Sequence, residues 1–284
     1  MSGWRQRLDY ASRVASTGLC FATFGVACVV VSLVWFPLLR LSSPDQATTR
    51  RRVRHCTHVF YRFILGMARR LGMLSFEVHG VERLAAPGQL VVANHPSLID
   101  VLFIGAQMPQ VGCIVKESLQ RNPFLGAPIR WAGYIPNSTP EHLIENCLAA
   151  LRGGDSLLVF PEGTRSVPGQ PLNMKRGPAH IALAAGCDLL PVTIVCHPSS
   201  LTKSDVWYRV PARRPHWRIS VGEPIRLADL VLPGEPKPRA ARRVTTHLAA
   251  YFSARLGLPA HSPVAAAATP ASDKASTPVD SAAA

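Results

Sequence analysis

Apolar and polar positions divide the chain into three stretches. A polar segment carrying Arg5, Arg7 and Arg13 precedes an uncharged apolar run from Thr17 to Leu39, which Arg40 closes. A run of this length predicts a helix able to span a bilayer, which takes about 20 apolar residues. Trp35 and Phe36 suit an interfacial position. A basic cluster at residues 50–55 and an amphipathic helix over 59–72 follow. Together they predict a membrane anchor over residues 1–72, either a spanning segment or a helical hairpin dipped into one leaflet. A cleaved signal peptide is disfavoured, because no small-x-small site follows the apolar run. A buried core helix is the other alternative. The denser basic cluster lies C-terminal to the run, which favours a cytoplasmic main domain on an inner cell membrane.

From Leu74 the period changes. Short apolar runs at 74–82, 89–94, 111–116, 156–160, 188–196 and 216–225 predict strands. Helical patterns alternate with them at 98–108, 139–154 and 180–186, and a last helix covers 240–256. The helix at 139–154 has the clearest signature. Leu143, Ile144, Cys147, Leu148 and Leu151 form one stripe, Thr139 and Pro140 suit its start, and Gly153–Gly154 stop it. Strands alternating with helices predict an α/β domain over 73–257, with a mixed central sheet and flanking helices. Residues 258–284 are rich in Ala, Pro, Ser and Thr without a bulky apolar pattern, which predicts a disordered tail.

Composition narrows the class. The formal charge is +14 over 284 residues, so an acidic partner is expected. No zinc-finger spacing or aromatic RNA-binding signature occurs, which turns the expectation from nucleic acid to an anionic membrane surface. The 7 cysteines are odd in number and include no CxxC. That argues against a disulfide framework and a zinc site and favours a reducing compartment for the main domain.

Candidate chemistry begins at residues 94–100, "NHPSLID". Pro96 restricts His95 to an extended conformation and is itself a good first helical residue. The expected order is strand, then His95 on a turn, then a helix from Pro96 that carries Asp100. Inside one regular helix, residues five apart would diverge by about 140°. With His95 outside the helix, the Asp100 carboxylate can hold one ring nitrogen and leave the other as a base. Alone, this spacing is common and equally fits a surface histidine near a turn. The loop "PEGTRS" after the strand at 156–160 adds Glu162, Gly163, Thr164 and Arg165 at the end of a strand, where α/β sheets bind ligands. Arg165 offers a planar fork for phosphate, and Lys175 and Arg176 precede a helix start. Each cation taken singly also fits a solvated surface charge.

The pair "NHPSLID" and "FPEGTRS" resembles the first and third motifs of the glycerophospholipid acyltransferase family, typified by bacterial 1-acyl-sn-glycerol-3-phosphate acyltransferases. "DLLPVTI" resembles the fourth motif, and "CIVKESLQRNPFLGAPIRWAGYI" the approach to the second. The resemblance covers roughly Leu74 to Leu227. It implies transfer of a fatty acyl group from acyl-CoA or acyl-carrier protein to the hydroxyl of a lysophospholipid, with no cofactor and no metal. In this reading His95 is the general base and Asp100 orients it. Glu162, Gly163 and Thr164 shape the acceptor site; Arg165, Lys116 and Lys175 hold its phosphate; Pro191 and Val192 lie near the acyl chain. The sequence departs from the family at the second motif, where "GYIPNSTPEH" (133–142) has no arginine. A different acceptor, such as a lyso-ornithine lipid or another lipid alcohol, is the alternative. Two other readings compete weakly. "GDSL" (154–157) matches a hydrolase block with Ser156 as nucleophile, but precedes its strand and lacks the partner motif. A non-catalytic lipid-binding module leaves His95 and Asp100 unexplained.

Overall fold

The computed structural model describes residues 3–259; the tail expected at 258–284 lies almost wholly outside the described residues. The seven strands are β1 (Ser75–His79), β2 (Leu90–Ala93), β3 (Val111–Lys116), β4 (Ile135–Asn137), β5 (Ser156–Val159), β6 (Leu189–His197) and β7 (His216–Val221). They form one sheet in the order β1-β7-β6-β2-β5-β3-β4. Pairing is parallel except between β6 and β7, so the sheet is mixed, as the alternating pattern predicts.

Side-chain alternation along a strand sends neighbours to opposite faces, and the central strands use both. In β2, Val91 and Ala93 face one apolar cluster while Leu90 and Val92 face the other. In β5, Leu158 faces the first, and Leu157 and Val159 the second. Strands buried on both sides read as continuous apolar runs, which is why these two are so plain in the sequence. Helix α3 (Gln46–Arg70) and the short α4 (Asp100–Gly105) cover the first face, through Val53, Tyr61, Leu65 and Phe103. The second face is covered by α6 (Pro140–Arg152), α7 (Gly177–Ala185) and α8 (Lys237–Leu256), through Cys147, Ile181 and Phe252. β4 and the one-and-a-half-turn α5 (Gly126–Trp131) complete the sheet's far edge. They are too short to show a period.

The apolar run folds as α1 (Gly3–Val30), a π-helical turn at Val31–Trp35 and α2 (Phe36–Leu41), in unbroken succession. Arg7–Leu41 is long and apolar enough to cross a membrane. It is not a buried core helix: Val26, Val30, Leu33, Val34, Trp35, Leu38 and Leu41 are each at least half exposed. Asp45 caps α3, its carboxylate accepting the Thr48 N–H at 2.7 Å. The basic cluster at 50–55 lies within α3 rather than before it. One of its members turns inward. Arg54, 3% exposed, donates to the Ala132 carbonyl at 2.9 Å and pairs with Asp155 at 2.9 Å. Apolar residues and this ion pair thus bind α3 to the first face of the sheet.

Candidate active site

The four parallel strands β2, β3, β5 and β6 end on the same side, and the loops that leave them meet there. His95 follows β2 by two residues. Between them stands Asn94, 1% exposed. Its side-chain amide donates to the Ile194 carbonyl at 2.8 Å and its oxygen accepts the Ile194 N–H at 2.7 Å. The side chain thus continues the β2–β6 ladder one step past the strand, where the main chain turns away.

His95 Nδ1 lies 2.9 Å from Asp100 Oδ2. Asp100 is fully buried. The expected helix from Pro96 is replaced by a turn: residues 97–99 are non-helical and α4 begins at Asp100 itself. The physical reason is the carboxylate. Asp100 Oδ2 accepts the Ser97 N–H at 2.7 Å and Oδ1 accepts the Ser97 hydroxyl at 2.5 Å. The Ser97 N–H and hydroxyl both turn onto this acceptor, and the next N–H, of Leu98, goes to the Leu201 carbonyl, so the segment closes as a turn. Trp217, buried on β7, donates its indole N–H to Ser97 Oγ at 3.2 Å. Burial pushes the Asp100 carboxyl above its ordinary range, while His95 and the Ser97 donors pull it down. Three donors converge on its two oxygens, as suits an ionised carboxylate accepting a hydrogen from Nδ1, and Nε2 is the ring nitrogen that Asp100 leaves free.

The loop after β5 locks the histidine from the other side. The Glu162 carboxylate accepts the His95 N–H at 3.0 Å and the Ser166 hydroxyl at 2.8 Å. The Ser166 N–H donates to the His95 carbonyl at 2.7 Å. Phe160 stacks on the imidazole at a centroid distance of 4.2 Å. The two motifs, 67 residues apart, are therefore one hydrogen-bonded unit around His95. Glu162 is buried, which raises its pKa against the pull of Ser166 and His95. Gly163 turns the loop at φ +67°, a conformation that side chains disfavour. Both it and Thr164 are exposed.

The cations sit around this unit at different depths. Arg165 is half-buried, and its Nη1 donates to the Leu201 and Thr202 carbonyls at 3.1 and 2.7 Å. The Leu201 carbonyl also accepts the Leu98 N–H at 3.0 Å. Leu201 adopts φ +55°, a strained conformation for a branched residue that this pair of donors holds in place. Lys175 is exposed, and its N–H bonds the Pro161 carbonyl at 2.8 Å. Lys116 is exposed at the end of β3, with its Cα opposite Asn137 of β4. The arginine missing from the second motif thus has a lysine directly across the ladder. Pro191 and Val192 lie buried in β6, opposite Val92 and Ala93. Ser156, the candidate of the hydrolase reading, is 6% exposed at the opposite end of β5 and engages the Gln89 N–H and the Ala86 carbonyl.

Asn94, Ser97, Ser166 and Trp217 complete the site without having been singled out from the sequence. The first three stand inside the two motifs. Nothing local marks Trp217, which is 120 residues from Ser97.

Residues 75–195 match the family model described as Acyltransferase. A 1-acyl-sn-glycerol-3-phosphate acyltransferase from Pseudomonas aeruginosa is 27% identical over 149 residues, covering 50% of this chain and 58% of the relative. One from Saccharomyces cerevisiae is 33% identical over 131 residues, covering 43% of each chain. The chain therefore spans about half the length of these curated relatives. The crystal structure of the 1-acyl-sn-glycerophosphate (LPA) acyltransferase PlsC from Thermotoga maritima superposes with a TM-score of 0.60 at 21% identity. That match covers 86% of this chain and all of the other, and it bears on the fold.

Proposed function

We propose that this chain, which carries an acyltransferase-family domain over residues 75–195, is an O-acyltransferase that acylates a lysophospholipid, 1-acyl-sn-glycerol-3-phosphate, to give phosphatidic acid. The observation that carries the reading is the His95–Asp100 contact at 2.9 Å, with His95 clamped at both its N–H and its carbonyl by the loop at 162–166.

The chemistry follows from that geometry. Asp100 takes the Nδ1 hydrogen bond and leaves Nε2 as the base. The acceptor hydroxyl gives its proton to Nε2 as its oxygen attacks the thioester carbonyl carbon. The C–O bond forms, the C–S bond breaks, and the departing sulfur takes the proton from the imidazolium. An ester and a free thiol result, and no acyl-enzyme forms. The buried carboxylate of Asp100 stabilises the transient imidazolium. Acyl-CoA or acyl-carrier protein supplies the thioester.

The cations on the same rim support a phosphate-bearing acceptor. Lys116, across from Asn137, stands in for the absent arginine. Arg165 is anchored through Nη1 and presents the rest of its guanidinium, and Lys175 flanks the loop. Glu162, Gly163 and Thr164 shape the pocket, Glu162 as a buttress from below. Pro191 and Val192, buried in β6 and facing opposite sides of the sheet, back the acyl-chain region from within the strand rather than touching the chain. The exposed apolar face of α1 and α2 contacts the inner membrane, with the catalytic domain on the cytoplasmic side, where the thioester arrives.

The test is acyl transfer by the purified chain to 1-acyl-sn-glycerol-3-phosphate, followed by mass spectrometry with each thioester donor. His95→Ala is expected to lose about 10²- to 10⁴-fold in rate, the usual worth of a general base, while the parallel variant Ser156→Ala keeps its activity. Wild-type turnover by His95→Ala would remove the histidine from the chemistry.

A further inference from the structure

At the corner where α2 gives way to α3, a cavity of about 450 Å³ is lined by Arg40, Thr49, Arg50, Arg130, Trp131 and Gly133 among others. Three arginines line it from three elements, Arg40 of α2, Arg50 of α3 and Arg130 of α5, and Arg130 is braced there by the bond from its Nη1 to the Gln120 carbonyl at 2.6 Å. None of the three forms an ion pair among the described residues. Several other exposed arginines do: Arg218 with Glu77, Arg226 with Asp229 and Arg243 with Glu235. Like charges gathered without a counter-charge repel one another, and an anion relieves that repulsion.

The backbone is shaped for the cluster. Gly133 sits at φ +64°, and a Cβ there would fall 2.6 Å from Arg50 Cδ. The glycine therefore makes the space that Arg50 occupies. Phe36 of α2 packs on Trp131 of α5 at a centroid distance of 6.1 Å and holds the wall. Trp35, Leu38 and Leu41, 50%, 50% and 84% exposed, stand within five residues of Arg40 along the same apolar helix. An arginine cluster beside exposed apolar side chains matches a phospholipid, with its phosphate at the interface and its chains below. The corner is also remote from the catalytic loops. Gly133 precedes β4, whereas His95 follows β2, and β2, β5, β3 and β4 run parallel, so the two lie at opposite ends of the sheet.

We propose that this corner binds the headgroup phosphate of an anionic phospholipid in the bilayer, at a site separate from that of the acceptor. The inference rests on the bilayer contact proposed above for α1 and α2. The experiment is co-sedimentation of the full chain with vesicles of phosphatidylcholine alone and of phosphatidylcholine with phosphatidylglycerol. The wild type is expected to favour the anionic vesicles. The double variant Arg50→Gln, Arg130→Gln should lose roughly tenfold in that preference, since each cation near the surface contributes measurably. Arg239→Gln with Arg242→Gln removes the same charge from exposed positions on α8 and should keep it. Arg50→Lys with Arg130→Lys should keep most of it, which separates lost charge from lost folding. Equal loss in the two glutamine pairs overturns the site, as does a wild type indifferent to vesicle charge. A wild type that stays in solution with both vesicles overturns the bilayer reading and the site with it. Calorimetry with inorganic phosphate completes the set: Arg50-dependent binding of the free ion, with vesicle preference unchanged in the glutamine pair, would assign the pocket to a soluble phosphate instead.

Discussion

Ser97 joins groups that lie far apart in the chain. Its N–H and hydroxyl both serve Asp100, and its hydroxyl accepts from Trp217. A hydrogen bond to a charged group contributes about 1.5–3 kcal/mol. If that support acts on the imidazolium through Asp100, Ser97→Ala should lower kcat by about tenfold to a hundredfold, with the acceptor KM little changed. Ser97→Thr, which keeps the hydroxyl, should restore most of the rate, and Trp217→Phe should have the smaller effect because it leaves the bonds to Asp100 in place. Steady-state kinetics on the three variants decides it; a rise in KM at unchanged kcat would make Ser97 a substrate contact instead. At this scale the sequence carries part of the site. Pro96 and the spacing of His95 and Asp100 announce the dyad, because proline's steric rule acts locally. The turn at 97–99 is hidden, since it depends on how many donors one buried carboxylate gathers. Trp217 is hidden too, because only the folded sheet brings β7 beneath the turn.

Elements show the same division. β2, β5 and α6 are legible because burial on two faces, or on one helical stripe, leaves a long apolar pattern. β4 and α5 are too short for a period, and they owe their form to neighbours. β1 and β7, at the sheet's edge, add an electrostatic pairing to the ladder. Glu77 lies opposite Arg218, and their hydrogen bond at 2.5 Å, helped by His79 and His216, holds the Glu77 carboxyl well down, from the ordinary 4.5 to about 2. A depressed carboxyl stabilises the fold above its unfolded pKa, and that contribution fades as pH falls from 4.5 towards about 2. Glu77→Gln should therefore melt below the wild type at pH 7, with the two curves converging in acid. The pair is partly exposed, so the difference should also shrink in high salt. A gap that persists unchanged to the acid end would mean that the glutamate acts through packing.

The whole molecule joins a water-facing α/β core to a helix whose outer face is unsuited to water. Leu33, Trp35, Leu38 and Leu41, clustered near its C-terminal end, are each at least half exposed. Replacing these four with serine should shift the chain from the membrane pellet to the supernatant without loss of the folded core, as checked by fractionation and circular dichroism. Unchanged pelleting would place membrane contact elsewhere, on the basic surface alone. The apolar run was visible in the sequence from its length, but its docking was not. Arg54 looks like one more surface cation in a basic cluster, and only its pairing with Asp155 shows that α3 is bound into the sheet layer.

One tether acquires its meaning from this arrangement. The segment whose Leu201 carbonyl receives both Leu98 and Arg165 continues to Trp207, which lies against Phe21 of α1 at 6.3 Å, and to Pro211 and Ala212, whose carbonyls accept from Arg13. The histidine and the apolar helix are thus fixed to one strap. With α1 seated in lipid as proposed, the strap sets the altitude of the base above the hydrocarbon. Sliding the helix by one turn, about 5.4 Å, would lift the imidazole clear of a hydroxyl that cannot leave its own leaflet to follow.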